Sequence, residues 1–404
     1  MKKRPRVAVT GMGIVSAAGW TLDETWGSLA AGRECLRPLS LFESQRCGKL
    51  PVGEVTGDPA RRSGLAAGSR SDHLAVWAAG QAYADAGLRA DGFAAERGAV
   101  VLGALTGGMM FTEEFLVGLF GEKRVDARGL DERACCNATD RVAERFGLGG
   151  FRATVSNACA SGGSALGLGG DLIAAGEADV VLAGGVDSLN RVVLNGFGSL
   201  MLVSPDGCRP FDAERKGMSV GEGSGVLVLE SEAHARARGA RVRAWLVGCG
   251  NTCDAHHVSA PQPEGRGLAE AMRIALADAG LLPAAVDYIN AHGTGTADND
   301  PVEARAIRAI FGEMPPAVSS TKRFFGHTLA AAGAIEAIVA VLALERQAIP
   351  PNLGLRKVDP KIPLAPVAEY REAELDVAMS TSLGFGGNNS ALLFRRAGSR
   401  EAAT

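Results

Sequence analysis

Apolar positions along this chain fall into short β-branched runs separated by longer stripes at helical spacing. Residues 6–10 (RVAVT) read as a strand that enters a turn at Gly11–Gly13, and Ser71–Leu88 reads as a helix closed by Gly87. Residues 98–108 (GAVVLGALTGG) then read as a buried strand running into a glycine loop. The same succession returns later, with a strand at 241–250 (RVRAWLVGCG), a helix at 266–279 ended by Gly280, and a strand-to-loop segment at 286–296 (VDYINAHGTGT). Both helices end in the letters ADAGL, at 84–88 and at 277–281, so order and wording together point to an ancient duplication.

Further runs at 178–185 (ADVVLAGG) and 224–230 (SGVLVLE) complete an alternation of strands with helices, which predicts α/β layers with buried, mostly parallel sheets. Two halves are expected, residues 1–245 and 246–404. No Pro/Ser linker separates them, so they should pack on each other. Five prolines between Pro350 and Pro366 predict an extended surface connection.

Composition narrows the function classes. With 42 basic and 45 acidic side chains the net charge is −3, which excludes a polybasic nucleic-acid binder. The eight cysteines show no CxxC pair and no Cys/His cluster at zinc spacing, and read as reduced thiols of a cytoplasmic protein. The start, MKKRPRVAVTGMG, lacks the apolar core of a signal peptide. Residues 153–170 carry no charge, yet ten of these 18 are Gly, Ser, Thr or Asn, too polar for a membrane span.

Candidate chemistry gathers at three glycine-flanked turns. In ATVSNACASGGSALGLGG, from residue 153, Cys159 falls between a strand and a helix. The helix dipole and free N–H groups there are expected to lower the thiol pKa and to supply donors for an oxyanion, although a small buried cysteine is the bland alternative. His292 follows a strand in AHGTGT, and His327 opens a long apolar helix in STKRFFGHTLAAAGAIE. A neutral imidazole at such a place exchanges protons near neutral pH. His73 and His234 read as structural, and His256–His257 flank a loop that could border an entrance. DPVE reads as a helix start, with Asp300 as N-cap and Glu303 at N3, both structural. GMGIVS lacks the third glycine of a dinucleotide fingerprint and is set aside.

NACASGG, AHGTGT, STKRFFGHTLAAAGAIE, RPFDAERKGMSVGEGSGVLVLE and SLGFGGNN, in a set that runs from the first strand to Phe394, resemble the elongating β-ketoacyl-acyl-carrier-protein synthases. The resemblance implies the thiolase fold, two pseudo-symmetric α/β halves in a five-layer αβαβα arrangement. It implies decarboxylative Claisen condensation of an enzyme-bound acyl group with malonyl-acyl-carrier protein in fatty-acid, polyketide or polyene elongation. Substrates then ride on the phosphopantetheine of an acyl carrier protein, with no cofactor or metal. The implied partners are that carrier and a second chain, identical or homologous. By resemblance Cys159 is the acylated nucleophile, while His292 and His327 promote decarboxylation. Lys322 supports them electrostatically, paired with Glu336 behind. Phe385 lends its N–H to the oxyanion hole and gates the acyl pocket, and Thr294 and Thr296 hold the phosphopantetheine arm. Departures fall at Thr106, where the family places an acyl-pocket isoleucine, at Phe325, expected to restrict the malonyl side, and at Met218 and Asn388. Basic clusters at Arg61–Arg62, Lys123–Arg124 and Arg209 with Lys216 are candidate carrier docking sites. A non-catalytic chain-length-factor partner is the alternative, but such chains lack the nucleophile. A thiolase needs a second cysteine near the C-terminus, and none follows Cys253.

Overall fold

Ten strands make the framework: β1 (Val7–Ser16), β2 (Gly98–Gly103), β3 (Arg152–Val155), β4 (Val180–Asp187), β5 (Gly223–Ser231), β6 (Ala244–Cys253), β7 (Tyr288–Asn290), β8 (Ala317–Ser319), β9 (Val377–Gly384) and β10 (Asn388–Arg396). The structure is a computed structural model that describes residues 6–44, 47–89, 92–121 and 127–399, apart from the side chain of Arg128. The strands bond in the order β3-β2-β4-β5-β1-β6-β10-β9-β7-β8. Outward from the centre, β1-β5-β4-β2-β3 and β6-β10-β9-β7-β8 are one order written twice. The two sets meet over three antiparallel pairs, from Val7↔Leu246 to Val9↔Ala244. The boundary expected at 245/246 falls inside β6.

Sheet direction differs from the expected mostly parallel arrangement. Each half holds a parallel trio, β3-β2-β4 and β8-β7-β9, followed by two antiparallel neighbours. The trios are joined through helices, as parallel strands require, whereas β9 turns directly into β10 through a short loop.

The helices used below are α1 (Arg70–Asp85), α2 (Met109–Phe120), α3 (Ser161–Ala174), α4 (Arg191–Ser199), α5 (Arg266–Ala279), α6 (Asn299–Phe311) and α7 (Ala332–Arg346). Helices α3 and α7 pack on each other and each touches strands of both halves, so they form the middle layer. Their sequences suit that place. SGGSALGLGGDLIA is small and uncharged for ten residues, and α7 is buried from Ala332 to Leu344, as a helix covered on every side must be. Helix α1 covers β1 and β5 on one outer face, and α5 covers β6 and β10 on the other, giving five layers.

Gly11–Gly13 was expected to turn the chain, but β1 runs straight through it to Ser16. The glycines serve close approach instead. A Cβ on Gly11 would stand 2.2 Å from the Ala82 carbonyl oxygen of α1, and one on Gly13 would stand 1.9 Å from that of Ala78. Gly248 and Gly250 of β6 meet Ala275 and Ala271 of α5 in the same way, at 2.1 and 2.0 Å. Between each glycine pair one amide is taken by the aspartate of an ADAGL end: Met12 N–H donates to Asp85 at 2.9 Å and Cys249 N–H to Asp278 at 3.0 Å. The repeated letters therefore perform one structural task in both halves. The proline-rich segment is not extended throughout: it turns at residues 353–354 and 360–361 and loops back so that Asn352 N–H donates to the Val367 carbonyl at 2.7 Å. Only its last residues run along the outer edge of β8, where Val367 N–H donates to the Val318 carbonyl at 2.8 Å.

Candidate active site

Cys159 sits where β3 gives way to α3, as expected. Ala158 before it takes φ +56°, a strained value for a residue with a Cβ. Ser161 stitches that turn: its hydroxyl donates to the Ala158 carbonyl at 2.6 Å and accepts from Asn157 N–H at 3.0 Å. The backbone of Gly384 presses on the same turn, and a Cβ there would stand 3.1 Å from the nitrogens of Cys159 and Ala160. The Phe385 loop is thus held against the Cys159 turn. The N–H groups of Phe385 and Cys159 both bear on the sulfur.

His292 ends the segment after β7. Glu303 on α6, fully buried, holds this segment by accepting His292 N–H at 2.8 Å, Gly293 N–H at 2.7 Å and the Thr381 hydroxyl at 2.8 Å. Asp300 does the same for the next residues, accepting from Gly295 N–H at 3.1 Å and Phe211 N–H at 2.6 Å. The N-cap expected at Asp300 lies instead at Asp298, without a side-chain cap bond. Both carboxylates reach away from the helix to fix the loop that carries His292. His327 follows the single turn Lys322–Phe325 and is anchored by its N–H to the Ser219 carbonyl at 2.6 Å.

The three side chains converge. Sγ of Cys159 and the nearest ring nitrogens of His292 and His327 all lie within 4.8 Å of one another, and the two rings stand edge to face at 5.1 Å. All three are buried. Among the described residues this is the one His/Cys/Asp/Glu group able to close on a metal ion.

Burial dominates the electrostatics. It pushes the Cys159 thiol up to about 11, against the pull of Lys322 and the Phe385 N–H. The acidic thiol expected from the helix start is therefore not found, because loss of solvent outweighs Lys322 and the N–H groups of Phe385 and Cys159. Burial, then Lys322, hold both imidazoles well below their usual range, with His327 adding to the effect on His292. Both are neutral at pH 7. Leu329 N–H donates to Nδ1 of His327 at 3.3 Å, and Lys322 Nζ stands 3.3 Å from Nδ1 of His292. Those partners assign the ring proton of each to Nε2. Lys322 is fully buried and pairs with Glu336, whose carboxyl burial lifts to about 7.

A cavity leads to this cluster. Phe385, Thr294, Thr296, Phe197, Leu202 and Met218 line it together with Cys159 and the histidines. The hydroxyls of Thr294 and Thr296 are 2.9 Å apart. Phe197 on α4 meets the Phe385 ring edge to face at 5.6 Å, and Asn388 donates to the Phe385 carbonyl at 2.9 Å. Ser259 and Pro261 border the cavity, whereas His256 and His257 themselves are exposed.

Two expected pocket residues lie elsewhere. Phe325 is fully buried in the central core, and the backbone of Gly53 and Gly221 closes over its carbonyl. Thr106 does not line the cavity, and its hydroxyl donates to Asp187 at 2.8 Å. Conversely, Glu303, Asp187 and Phe197 were not singled out as site residues. Glu303 carried a signal, a carboxylate one helical turn into a helix that follows a glycine-rich histidine loop. His73 and His234 are structural, bonded to Ser63 at 2.7 Å and Glu230 at 2.6 Å. Lys123–Arg124 lies outside the described residues.

A doubled five-stranded unit with a buried thiol and two neutral imidazoles between its halves defines a thioester-handling enzyme. Residues 4–235 match the β-ketoacyl synthase N-terminal domain and residues 243–356 the β-ketoacyl synthase C-terminal domain. The chain belongs to the β-ketoacyl synthase family. It is 35% identical to 3-oxoacyl-[acyl-carrier-protein] synthase 2 of Coxiella burnetii, over 98% of this chain and 99% of that one. It is 37% identical to nodulation protein E of Rhizobium meliloti, over 97% and 99%. Among solved structures, the ishigamide ketosynthase/chain length factor superposes with a TM-score of 0.93 at 36% identity, over 98% of this chain and 100% of that one. The thiolase arrangement expected from the motifs is present.

Proposed function

We propose that this chain is an acyltransferase that elongates carrier-bound acyl chains by decarboxylative Claisen condensation. The observation that carries the reading is the convergence of Cys159 with two imidazoles that line the same cavity and whose Nδ1 atoms are met by Leu329 N–H and Lys322 Nζ. In the loading step the Cys159 sulfur displaces a pantetheine thiol from an acyl thioester, and the proton lost by Cys159 ends on the departing sulfur. The N–H groups of Cys159 and Phe385 stabilise the oxyanion formed on the way. Thr294 and Thr296 then seat the arm of malonyl-acyl-carrier protein. The bond to the carboxylate breaks, CO₂ leaves, and the electron pair forms an enolate whose oxygen accepts from Nε2–H of His292 and His327. Neutral donors suit this task, since no strong base is required. The enolate carbon attacks the Cys159 acyl carbonyl, and the sulfur leaves.

Lys322, with Glu336 behind it, keeps His292 neutral and in the right tautomer. The intact nucleophile favours this reading over a chain-length factor. The partners are an acyl carrier protein and a second chain, the same or homologous, and the reaction takes its carrier-bound substrates without a bound cofactor of its own. Cys159→Ala abolishes acyl loading as read by intact-protein mass. His292→Ala with His327→Ala still loads but releases no CO₂ and forms no β-ketoacyl product. Full condensation by that double variant would refute the assignment. Loading from a panel of saturated, unsaturated and aryl acyl-carrier proteins then identifies the acyl class.

A further inference from the structure

Asp187, the last residue of β4, is fully buried beside the active site, and no step above uses it. Its Oδ1 accepts Thr106 N–H at 2.9 Å and the Thr106 hydroxyl at 2.8 Å, and its Oδ2 accepts Ala330 N–H at 3.0 Å. Leu105 N–H faces it as well. A buried carboxylate with this many donors is an organised feature.

What it fastens is the backbone after His327. Leu329 has φ +55°, a left-handed conformation that a leucine keeps only where its surroundings impose it. On one side of that residue its own N–H donates to Nδ1 of His327 at 3.3 Å. On the other, Ala330 N–H is taken by Asp187.

We infer that Asp187 is a positioning residue for decarboxylation: through Ala330 it locks the left-handed turn that aims Leu329 N–H at His327 Nδ1, and so keeps the imidazole proton on Nε2. The inference rests on the role of His327 stated under Proposed function. Thr106 shares in the device, because its hydroxyl adds a second donor that an isoleucine at this position could not provide.

The arrangement gives opposite signs for the two half-reactions. Around the Cys159 sulfur stand Lys322, the neutral His292 and His327, and Asp187, the one whose negative charge opposes the thiolate. Removing that charge leaves loading intact or quickens it, while decarboxylation suffers. A residue that merely held the fold together would impair both.

The test uses the full chain with acyl- and malonyl-acyl-carrier protein. Asp187→Asn keeps the shape but turns one acceptor into a donor facing N–H groups. CO₂ release at saturating malonyl-carrier is expected to fall at least ~10-fold with KM within ~2-fold, and acyl loading to hold or rise up to ~3-fold. Thr106→Val, which leaves the carboxylate in place, is expected to slow CO₂ release about 3-fold in the same pattern, and it decides the matter where Asp187→Asn does not fold. Loading and CO₂ release that fall together, or CO₂ release unchanged in a folded variant, would overturn the inference. His327→Ala is run alongside. Retention of CO₂ release by that variant refutes the role of His327 itself, whereas its loss with Asp187→Asn and Thr106→Val unaffected refutes only the role of Asp187.

Discussion

The thiol of Cys159 faces two opposed influences, Lys322 with the N–H groups of Phe385 and Cys159 on one side and complete loss of water on the other. Burial prevails, since it pushes the group up to about 11. A raised thiol pKa means that the thiolate fraction grows with pH up to that value, so alkylation of Cys159 by iodoacetamide is expected to rise about tenfold per pH unit from 7 to 10 without a plateau. A plateau near pH 8 would show that Lys322 and the N–H groups govern instead. Lys322 is the cation that opposes burial at this sulfur. Lys322→Met is therefore expected to slow alkylation at pH 8 further, with the reaction followed by intact mass. In the same variant His292 loses the donor on Nδ1, so condensation falls more steeply than loading.

At the scale of elements, the crossing of α1 over β1 and of α5 over β6 depends on glycine pairs that admit a helix carbonyl where a Cβ would stand. Gly13→Ala and Gly250→Ala both put a methyl group within about 2 Å of backbone oxygen. Because neither backbone can retreat without dragging a layer, each is expected to cost about 3 kcal/mol or more, read as a loss of midpoint in urea unfolding. Gly27 in the helix Leu22–Ala30 is the control, since a Cβ there would meet nothing within 4 Å. Gly27→Ala is expected to be neutral or to stabilise by about 0.5–1 kcal/mol. Equal effects at all three would mean that the repeated crossing is not what the glycines serve.

For the whole molecule, the two ends of the ten-stranded run are treated differently. The β8 edge is covered by the chain's own segment around Val367, whereas no strand pairs with the outer side of β3 among the described residues. Exposed apolar side chains occur at Phe151 beside β3, at Val117 and Phe120 on α2, and at Met201 just past α4. Such surface is expected to meet the second chain. Val117→Lys with Phe120→Lys should therefore shift the light-scattering mass from two chains toward one. The carrier protein poses a separate problem, because the net charge of −3 gives no general attraction. Arg62 is stacked over Trp20, at 4.4 Å, and Arg61 leans on Asp58. Arg209 abuts Gly295 in the threonine loop, and Lys216 is exposed, two residues before Met218 of the cavity wall. Charge reversal at Lys216 is expected to raise KM for malonyl-carrier several-fold while leaving a small pantetheine thioester unaffected. Equal loss with both substrates would exclude docking as its role.

Local pattern and motif spacing placed most of the strands and helices named from them, the repeated order of elements, and the three turns that carry Cys159, His292 and His327, but not the straight run of β1 through Gly11–Gly13 or the antiparallel pairs. A strand-to-helix turn rich in small residues marks Cys159, and glycine-flanked turns mark His292 and His327, because each feature is written in neighbouring letters. The ADAGL pair was visible too, though its task, receiving an amide between two glycines of a distant strand, was not. Tertiary structure decided which backbone groups the carboxylates hold. Glu303 and Asp187 act on backbone N–H groups 10 and 143 residues away in the chain, and no periodicity encodes such a pairing. It also decided that Thr106 bonds Asp187 and that Phe325 lies in the core, since both depend on groups far away in the chain. The protonation of the thiol was decided there as well: a dipole can be read from a helix start, but the water excluded around it depends on every layer packed above.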